Sequence, residues 1–218
     1  MKAALKSTGI VLEMIKFQHT LFALPFALAG AILAAGGLPD ARTFLWIIAA
    51  CVFARTAAMS FNRWADAGLD ARNPRTATRA IPAGQLSGGF VLCFALINAA
   101  LFVWAAAMLN SLAFYLSPVA LVVLLGYSYT KRFTWMAHFV LGLALGIAPI
   151  GAWIAVRGSL SIEPLLMGLA VLVWTAGFDL IYACQDIEVD SREGLYSIPS
   201  RFGAKLALRW SGCRHIAC

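Results

Sequence analysis

Charge is what this sequence has least of. Only 12% of its 218 residues are Asp, Glu, Lys or Arg, whereas 61% are hydrophobic, and the mean hydropathy is +0.82. Soluble domains carry about a quarter of their residues charged, so an ordinary water-soluble domain is excluded. Acids are scarcer than bases, 10 against 17. Five cysteines, Cys51, Cys93, Cys184, Cys213 and Cys218, are scattered without metal-type spacing, which argues against both a disulfide framework and a zinc site. The three histidines are equally dispersed, and nothing singles out His138 or His215. There is no strong internal repeat. The N-terminus also lacks the compact apolar core and small-residue cleavage site of a signal peptide. Apolar sequence continues from Phe17 well past that length, so the first span is expected to stay.

What is present is a series of long uncharged runs. Six of them are of membrane-crossing length, about 20 residues each, with approximate limits 17–37, 43–65, 87–108, 112–130, 136–156 and 162–184. The expected fold is an all-α, polytopic transmembrane helical bundle, one domain over residues 1–218 embedded in a lipid bilayer. Lysines and arginines prefer cytoplasmic loops. One side collects Lys2, Lys6, Lys16, Arg63, Arg72, Arg75, Arg79, Lys131, Arg132, Arg192, Arg201, Lys205, Arg209 and Arg214, and the other holds Arg42 and Arg157. Both termini are therefore expected in the cytoplasm. The same asymmetry accounts for most of the net charge of +7, so no nucleic-acid partner is expected. Anionic headgroups or a phosphorylated ligand explain it better.

Polarity is concentrated in two loops. In "NRWADAGLDARNPRTATRAIPAG", Asn62 to Gly84, the residues Asn62, Asp66 and Asp70 stand four apart. If the preceding span continues as helix, each step advances about 400°, so the three line one face as a ladder of oxygen ligands. In "DLIYACQDIEVDSREG" Asp179, Asp186 and Asp190 stand seven and four apart, again nearly one face. Unpaired carboxylates near hydrocarbon cost several kcal/mol unless neutralised. A hard divalent cation, Mg2+, does this best, because it takes carboxylate and phosphate oxygens together. Arg63, Arg72, Arg75, Arg79, Lys131 and Arg132 are placed to hold the phosphate oxygens that the metal leaves free. A membrane phosphotransferase would show a tighter acidic signature with interspersed glycines on a single segment, which is absent. A small transporter or assembly partner, with loop charges serving only topology, remains the non-enzymatic alternative.

One cation stands apart. Arg55 lies near the middle of the second span, where a charge is costly and is a functional candidate by default. It precedes Asn62 by seven residues, about 700° of turn, which puts it on the ladder face roughly 10 Å deeper. It is expected to hold a substrate carboxylate, with Lys16 and His19 as companions.

Taken together, these residues resemble the UbiA superfamily of intramembrane aromatic prenyltransferases. The first signature corresponds to Asn62-Arg63-x-x-Asp66-x-x-x-Asp70 followed by "NPRTATRAIPAG". The second corresponds to Asp179-x-x-Tyr182-x-x-x-Asp186-x-x-x-Asp190 followed by "REGLYSIPSRFG". The stretch "GYSYTKRFT", with Tyr127 four residues before Lys131, resembles the family's third basic element, and the likeness covers about residues 10–205. It implies a central cavity under a cytoplasmic polar cap. There Asp66, Asp70, Asp186 and Asp190 act in catalysis and, with Asn62, carry Mg2+. Arg63, Arg75, Arg79 and Lys131 would grip the polyprenyl diphosphate, and Tyr127, Tyr182 and Asp179 would support them. The acceptor it implies is an aromatic acid, 4-hydroxybenzoate or 1,4-dihydroxy-6-naphthoate, in a bacterial inner membrane. The family usually has nine transmembrane helices. This chain offers six and then "AKLALRWSGCRHIAC", whose charges interrupt a seventh, so the expectation is a domain incomplete at its C-terminus, with activity of the short chain in doubt.

Overall fold

The computed structural model describes residues 9–15 and 23–216. Residues 9–14 are helical. Next come α1 (Leu24–Ala35), α2 (Ala41–Ala65), the short α3 (Ala67–Arg72), α4 (Gly88–Leu109), α5 (Ser111–Thr130), α6 (Ala137–Arg157) and α7 (Ile162–Ala183). A single 3₁₀ turn, Cys184–Asp186, leads into α8 (Ile187–Arg192), α9 (Ile198–Phe202) and α10 (Ala204–Ile216). No strand occurs among the described residues. Helices α2, α4, α5, α6 and the segment beginning with α7 are long and apolar enough to cross a membrane, and each falls within a residue or two of its expected span. The first expected span is described only in its second half, as α1.

The helix limits follow from local chemistry. Asp40 starts α2 by accepting the Thr43 N–H at 3.0 Å, and Ser87 starts α4 by accepting that of Phe90 at 3.2 Å. Helix α1 has Pro25 in its first turn and ends at Gly36, whose φ of 69° is the left-handed conformation that glycine adopts without strain. At the α4–α5 turn Asn110 does two jobs. Its Oδ1 accepts the Ala113 N–H at 2.9 Å, while its Nδ2 donates to the Ile154 and Ala155 carbonyls at 2.8 and 3.2 Å. That side chain joins the start of α5 to the last turn of α6, where carbonyls run short of intrahelical partners and the Ile154 carbonyl is met by the Gly158 N–H as well.

Helix α2 packs along α4, α6 along α7, and α1 against α6. Between apolar helices in lipid there is little hydrophobic drive, so close approach through small residues supplies the cohesion. Ala27 and Ala31 of α1 are fully buried against Ala152 and Ala155 of α6. A methyl group added at Gly30 would meet the Pro149 carbonyl oxygen at 2.5 Å, and one added at Gly146 the Gly168 carbonyl oxygen at 2.5 Å. These glycines lie in the Gly-Ala-rich stretches of the sequence, and their role is contact between backbones. The cohesion on the α6–α7 side leaves room on the other, and a cavity of about 300 Å³ opens between α2, α4, α5 and α6.

Gly146→Ala must push α6 from the α7 backbone, because a carbonyl cannot swing aside as a side-chain tip can. A loss of about 1–3 kcal/mol is expected from such overpacking. Gly126→Ala, where nothing lies within 4 Å, is expected to be neutral or slightly stabilising. Thermal unfolding of both variants in one detergent checks the contrast.

Candidate functional site

Helix α2 does not run on unbroken through the first acidic ladder. Asp66 caps it with φ −95° and ψ 2°, and α3 begins at the next residue. The helical hydrogen-bond register nevertheless survives the break, since the Asp66 N–H reaches the Asn62 carbonyl at 2.9 Å and that of Asp70 the Asp66 carbonyl at 2.8 Å. Asn62 and Asp66 therefore touch as the spacing requires, Nδ2 donating to Oδ2 at 3.2 Å. Asp66 is 2% exposed. Its compensation comes from the end of α5, where Lys131 Nζ lies 2.6 Å from Oδ2 and Arg132 3.4 Å from Oδ1. Arg132 is itself held over the Tyr129 ring and donates to the Ala65 carbonyl.

The loop after α3 folds back on itself. Asn73 Oδ1 accepts the Arg75 N–H at 2.9 Å, a local turn that suits Asn before Pro74. Thr76 Oγ1 donates to the Asp70 carbonyl at 3.0 Å. This returns Arg79 to the buried carboxylate of Asp70, which it grips through Nη1 at 2.7 and 2.8 Å. The same fold aims Arg75 outward at the second acidic segment. Its Nε lies 3.0 Å from Asp186 Oδ1, and Asn73 Nδ2 donates to that oxygen at 3.2 Å. Further out, Arg72 pairs with Glu193, and Arg192 donates to the Arg72 carbonyl at 2.9 Å. The Tyr196 N–H reaches the Lys131 carbonyl at 2.7 Å. Segments more than a hundred residues apart are thus clasped at one end of the bundle.

The second ladder divides its partners. A 3₁₀ turn at Cys184–Asp186 lies between Asp179 and Asp186. Asp186 turns to Arg75. Asp179 instead accepts from His138 Nδ1 at 2.7 Å. Asp190 lies within electrostatic reach of Asp186 and Lys131. Tyr182 is half exposed and packs on Phe178 with ring centres 4.9 Å apart. Arg63, expected at the phosphate, donates through Nε to the Met14 carbonyl at 3.4 Å. Lys16 and His19 lie outside the described residues.

The expected metal set of Asn62, Asp66, Asp70, Asp186 and Asp190 is not gathered around one point. Among the described residues no three His, Cys, Asp or Glu side chains stand close enough to hold an ion together. Asp66, Asp70 and Asp186 each close instead on a neighbouring base, since a carboxylate at this depth needs a positive partner. The donor chemistry still suits a hard cation. All the ligands are oxygens, and Lys131, Arg79 and Arg75 mark the three places where positive charge is required.

Beneath this cap lies the cavity. Its wall is almost entirely aliphatic, from Ala23 and Ile47 to Ile154 and Ala155, with Arg55, Tyr127 and Ser117 as the polar exceptions. Arg55 Nε is buried and has no hydrogen-bond partner among the described residues. The seven-residue step from Asn62 predicted that Arg55 would face inward, and it does. His138 was not legible in the sequence. It is 3% exposed, and its partners lie 41 and 60 residues away, so no local spacing could have found it.

A sequence profile described as the UbiA prenyltransferase family matches residues 23–218. A 4-hydroxybenzoate octaprenyltransferase from Photobacterium profundum is 35% identical over 172 residues, covering 78% of this chain and 60% of that protein. One from Francisella tularensis subsp. novicida is 31% identical over 207 residues, covering 94% of this chain and 72% of that protein. The chain thus spans 60% and 72% of the length of these two curated relatives. Among solved structures, the apo UbiA homolog from Aeropyrum pernix K1 superimposes with a TM-score of 0.85 at 37% identity, covering 92% of this chain and 75% of that one. The UbiA homolog from Archaeoglobus fulgidus bound to DMAPP and Mg2+ gives 0.77 at 20% identity, over 95% of this chain and 74% of that one, a likeness of fold.

Lys131→Met would leave Asp66 buried with the 3.4 Å contact to Arg132 as its remaining ion pair and the Asn62 amide at 3.2 Å. A stability loss of about 1–3 kcal/mol is expected, and much of it is expected to disappear in the Lys131→Met, Asp66→Asn double variant. A double-mutant cycle on thermal unfolding measures that coupling.

Proposed function

The chain belongs to the UbiA prenyltransferase family, and from that premise we propose that it transfers a polyprenyl group from polyprenyl diphosphate to the ring of an aromatic acid, 4-hydroxybenzoate. The observation that carries the reading is one juxtaposition. Two acid-and-base segments are clasped through Asp186, Arg75 and Asn73, at the end of the bundle nearest Arg55 and Tyr127, above an apolar cavity. A diphosphate head and an isoprenoid tail need just such neighbours. The names of the curated relatives support the acceptor. The excess of lysine and arginine on this side of the bundle supports a cytoplasmic orientation for this end, in the inner membrane of a bacterium.

In this reading Lys131, Arg79 and Arg75 turn from Asp66, Asp70 and Asp186 to the diphosphate oxygens. Lysine has three donors and arginine five, so each can keep a carboxylate while adding a phosphate. Asn62, Asp66, Asp70, Asp186 and Asp190 would hold magnesium, as the ion bound with DMAPP in the Archaeoglobus homolog suggests. When bound, the metal would stabilise negative charge on the leaving diphosphate. The allylic C–O bond breaks with its electron pair going to the diphosphate. The ring carbon bonds to the cation-like prenyl carbon, and loss of the ring proton restores aromaticity. The aliphatic wall keeps water from that cation. Arg55 offers the acceptor's carboxylate a planar fork from a wall that is otherwise apolar, and its buried Nε has no partner among the described residues to give up.

Membranes carrying the protein are expected to prenylate 4-hydroxybenzoate when given a polyprenyl diphosphate and magnesium, with product identified by mass spectrometry. Prenylation of 1,4-dihydroxy-6-naphthoate instead would move the acceptor assignment, and prenylation of neither ring would end the enzymatic reading. Asp66→Ala or Asp186→Ala is expected to lower turnover by about 10²-fold or more while membrane insertion persists.

Arg55→Lys is expected to raise KM for the aromatic acid by about tenfold with KM for the diphosphate unchanged, since an ammonium cannot reproduce the fork. Equal weakening of both substrates would refute the carboxylate role.

A further inference from the structure

His138 sits in the first turn of α6, on neither acidic segment, yet it touches the site from behind. The Ile198 N–H donates to its Nε2 at 3.3 Å. That bond decides the tautomer: with Nε2 accepting, the ring proton stands on Nδ1 and is donated to Asp179 Oδ2 at 2.7 Å. Both nitrogens of a neutral imidazole are therefore used. Ile198 is fully buried and opens α9, so its N–H belongs to the helix start that no intrahelical carbonyl can satisfy. It packs with Leu180, the residue next to Asp179, and with Ala207 of α10. Asp179 keeps a side chain 33% exposed, its bond to His138 falls on Oδ2 alone, and it lies within electrostatic reach of the cavity residue Tyr127.

Resting on the prenyl-transfer reading, we propose that His138 is a positioning residue: it holds Asp179 with one oxygen turned to the substrate site and ties that setting to docking of the Tyr196–Phe202 segment. A carboxylate on a single Cβ–Cγ axis would otherwise rotate, and a donor to Oδ2 stops it. The second bond matters because Ile198 N–H forbids the other tautomer, in which Nδ1 would be an acceptor facing a carboxylate. The segment also bonds back to Lys131 through the Tyr196 N–H. The proposed diphosphate grip and the Asp179 setting thereby share one support.

Two isosteric replacements separate the two bonds. The asparagine amide nitrogen falls close to Nδ1 and can still donate to Asp179, whereas glutamine reaches the Nε2 position and can still accept from Ile198. His138→Asn is expected to retain turnover within about threefold. His138→Gln is expected to lose about tenfold in turnover, with KM for the diphosphate little changed. On an Asp179→Asn background, His138→Gln is expected to add no further loss. If Asn and Gln variants lose turnover equally and in step with thermal stability, His138 is only a structural pin and the proposal fails.

A second readout does not depend on catalysis. The chain has three histidines, so ¹⁵N-histidine spectra of the purified full chain are simple to assign. One ring is expected in the Nδ1–H tautomer, its signal absent from His138→Asn and shifted in Asp179→Asn. Absence of that tautomer, or its indifference to Asp179→Asn, overturns the positioning. Should the unmutated chain prenylate nothing while this signal behaves as expected, the prenyl-transfer reading fails and the His138–Asp179 coupling stands.

Discussion

The site rests on the neutralisation of one carboxylate, Asp66, at the point where α2 leaves the apolar layer. At 2% exposure it cannot rely on water, so the end of α5 must come to it, and Lys131 at 2.6 Å with Arg132 behind does so. Much else follows from that demand. Holding Lys131 there places the Lys131 carbonyl against the Tyr196 N–H, which anchors the segment after the second acidic stretch. Asn62 and Ser128 fill the gap between the two helices at 3.4 Å. The α5 terminus is fixed by charge where its packing is loose, since α5 is the least buried of the long helices.

Charge and small residues divide the labour. In the membrane interior, glycines and alanines let α1, α6 and α7 touch backbone to backbone, and cohesion comes from contact area. At the polar end, where backbone leaves the helix and carboxylates abound, cohesion comes from ion pairs spanning the chain, as in Arg75 with Asp186 and Arg72 with Glu193. Tight packing on the α6–α7 side and looser packing beside α5 leave a cavity on one side of the bundle. A buried arginine whose Nε has no partner among the described residues is costly in such a wall, and sites that store cost of this kind are commonly those that bind something.

The limits of sequence reading show in particular residues. Asn62, Asp66 and Arg55 were placed correctly by counting turns, because α2 is regular across them and the hydrogen-bond register carries through the break at Asp66. The same counting could not say that Asp179 and Asp186, on either side of one 3₁₀ turn, take different partners, His138 and Arg75. Arg63 stays within electrostatic reach of Asp66 and Asp70, while its Nε donates to Met14, a partner supplied by a segment far away in sequence. His138 gave no signal at all. Its neighbours in the chain are Trp135, Met136, Ala137 and Phe139, and both of its hydrogen-bond partners come from elsewhere in the fold.

By itself the sequence determined the solvent, the helices and the chemistry at stake. Runs of about 20 apolar residues can do little but cross a bilayer, and acids concentrated beside bases at the ends of two such runs must meet either each other or a ligand. Only the tertiary structure decided which base answers which acid, that the Arg55 Nε stands without a partner among the described residues of a cavity wall, and that His138, its tautomer set by the Ile198 N–H, stands against Asp179. The reason is physical. Helix periodicity is a local property, written in residues three and four apart, whereas the pairing of buried charges depends on which helix ends the packing of small residues brings together.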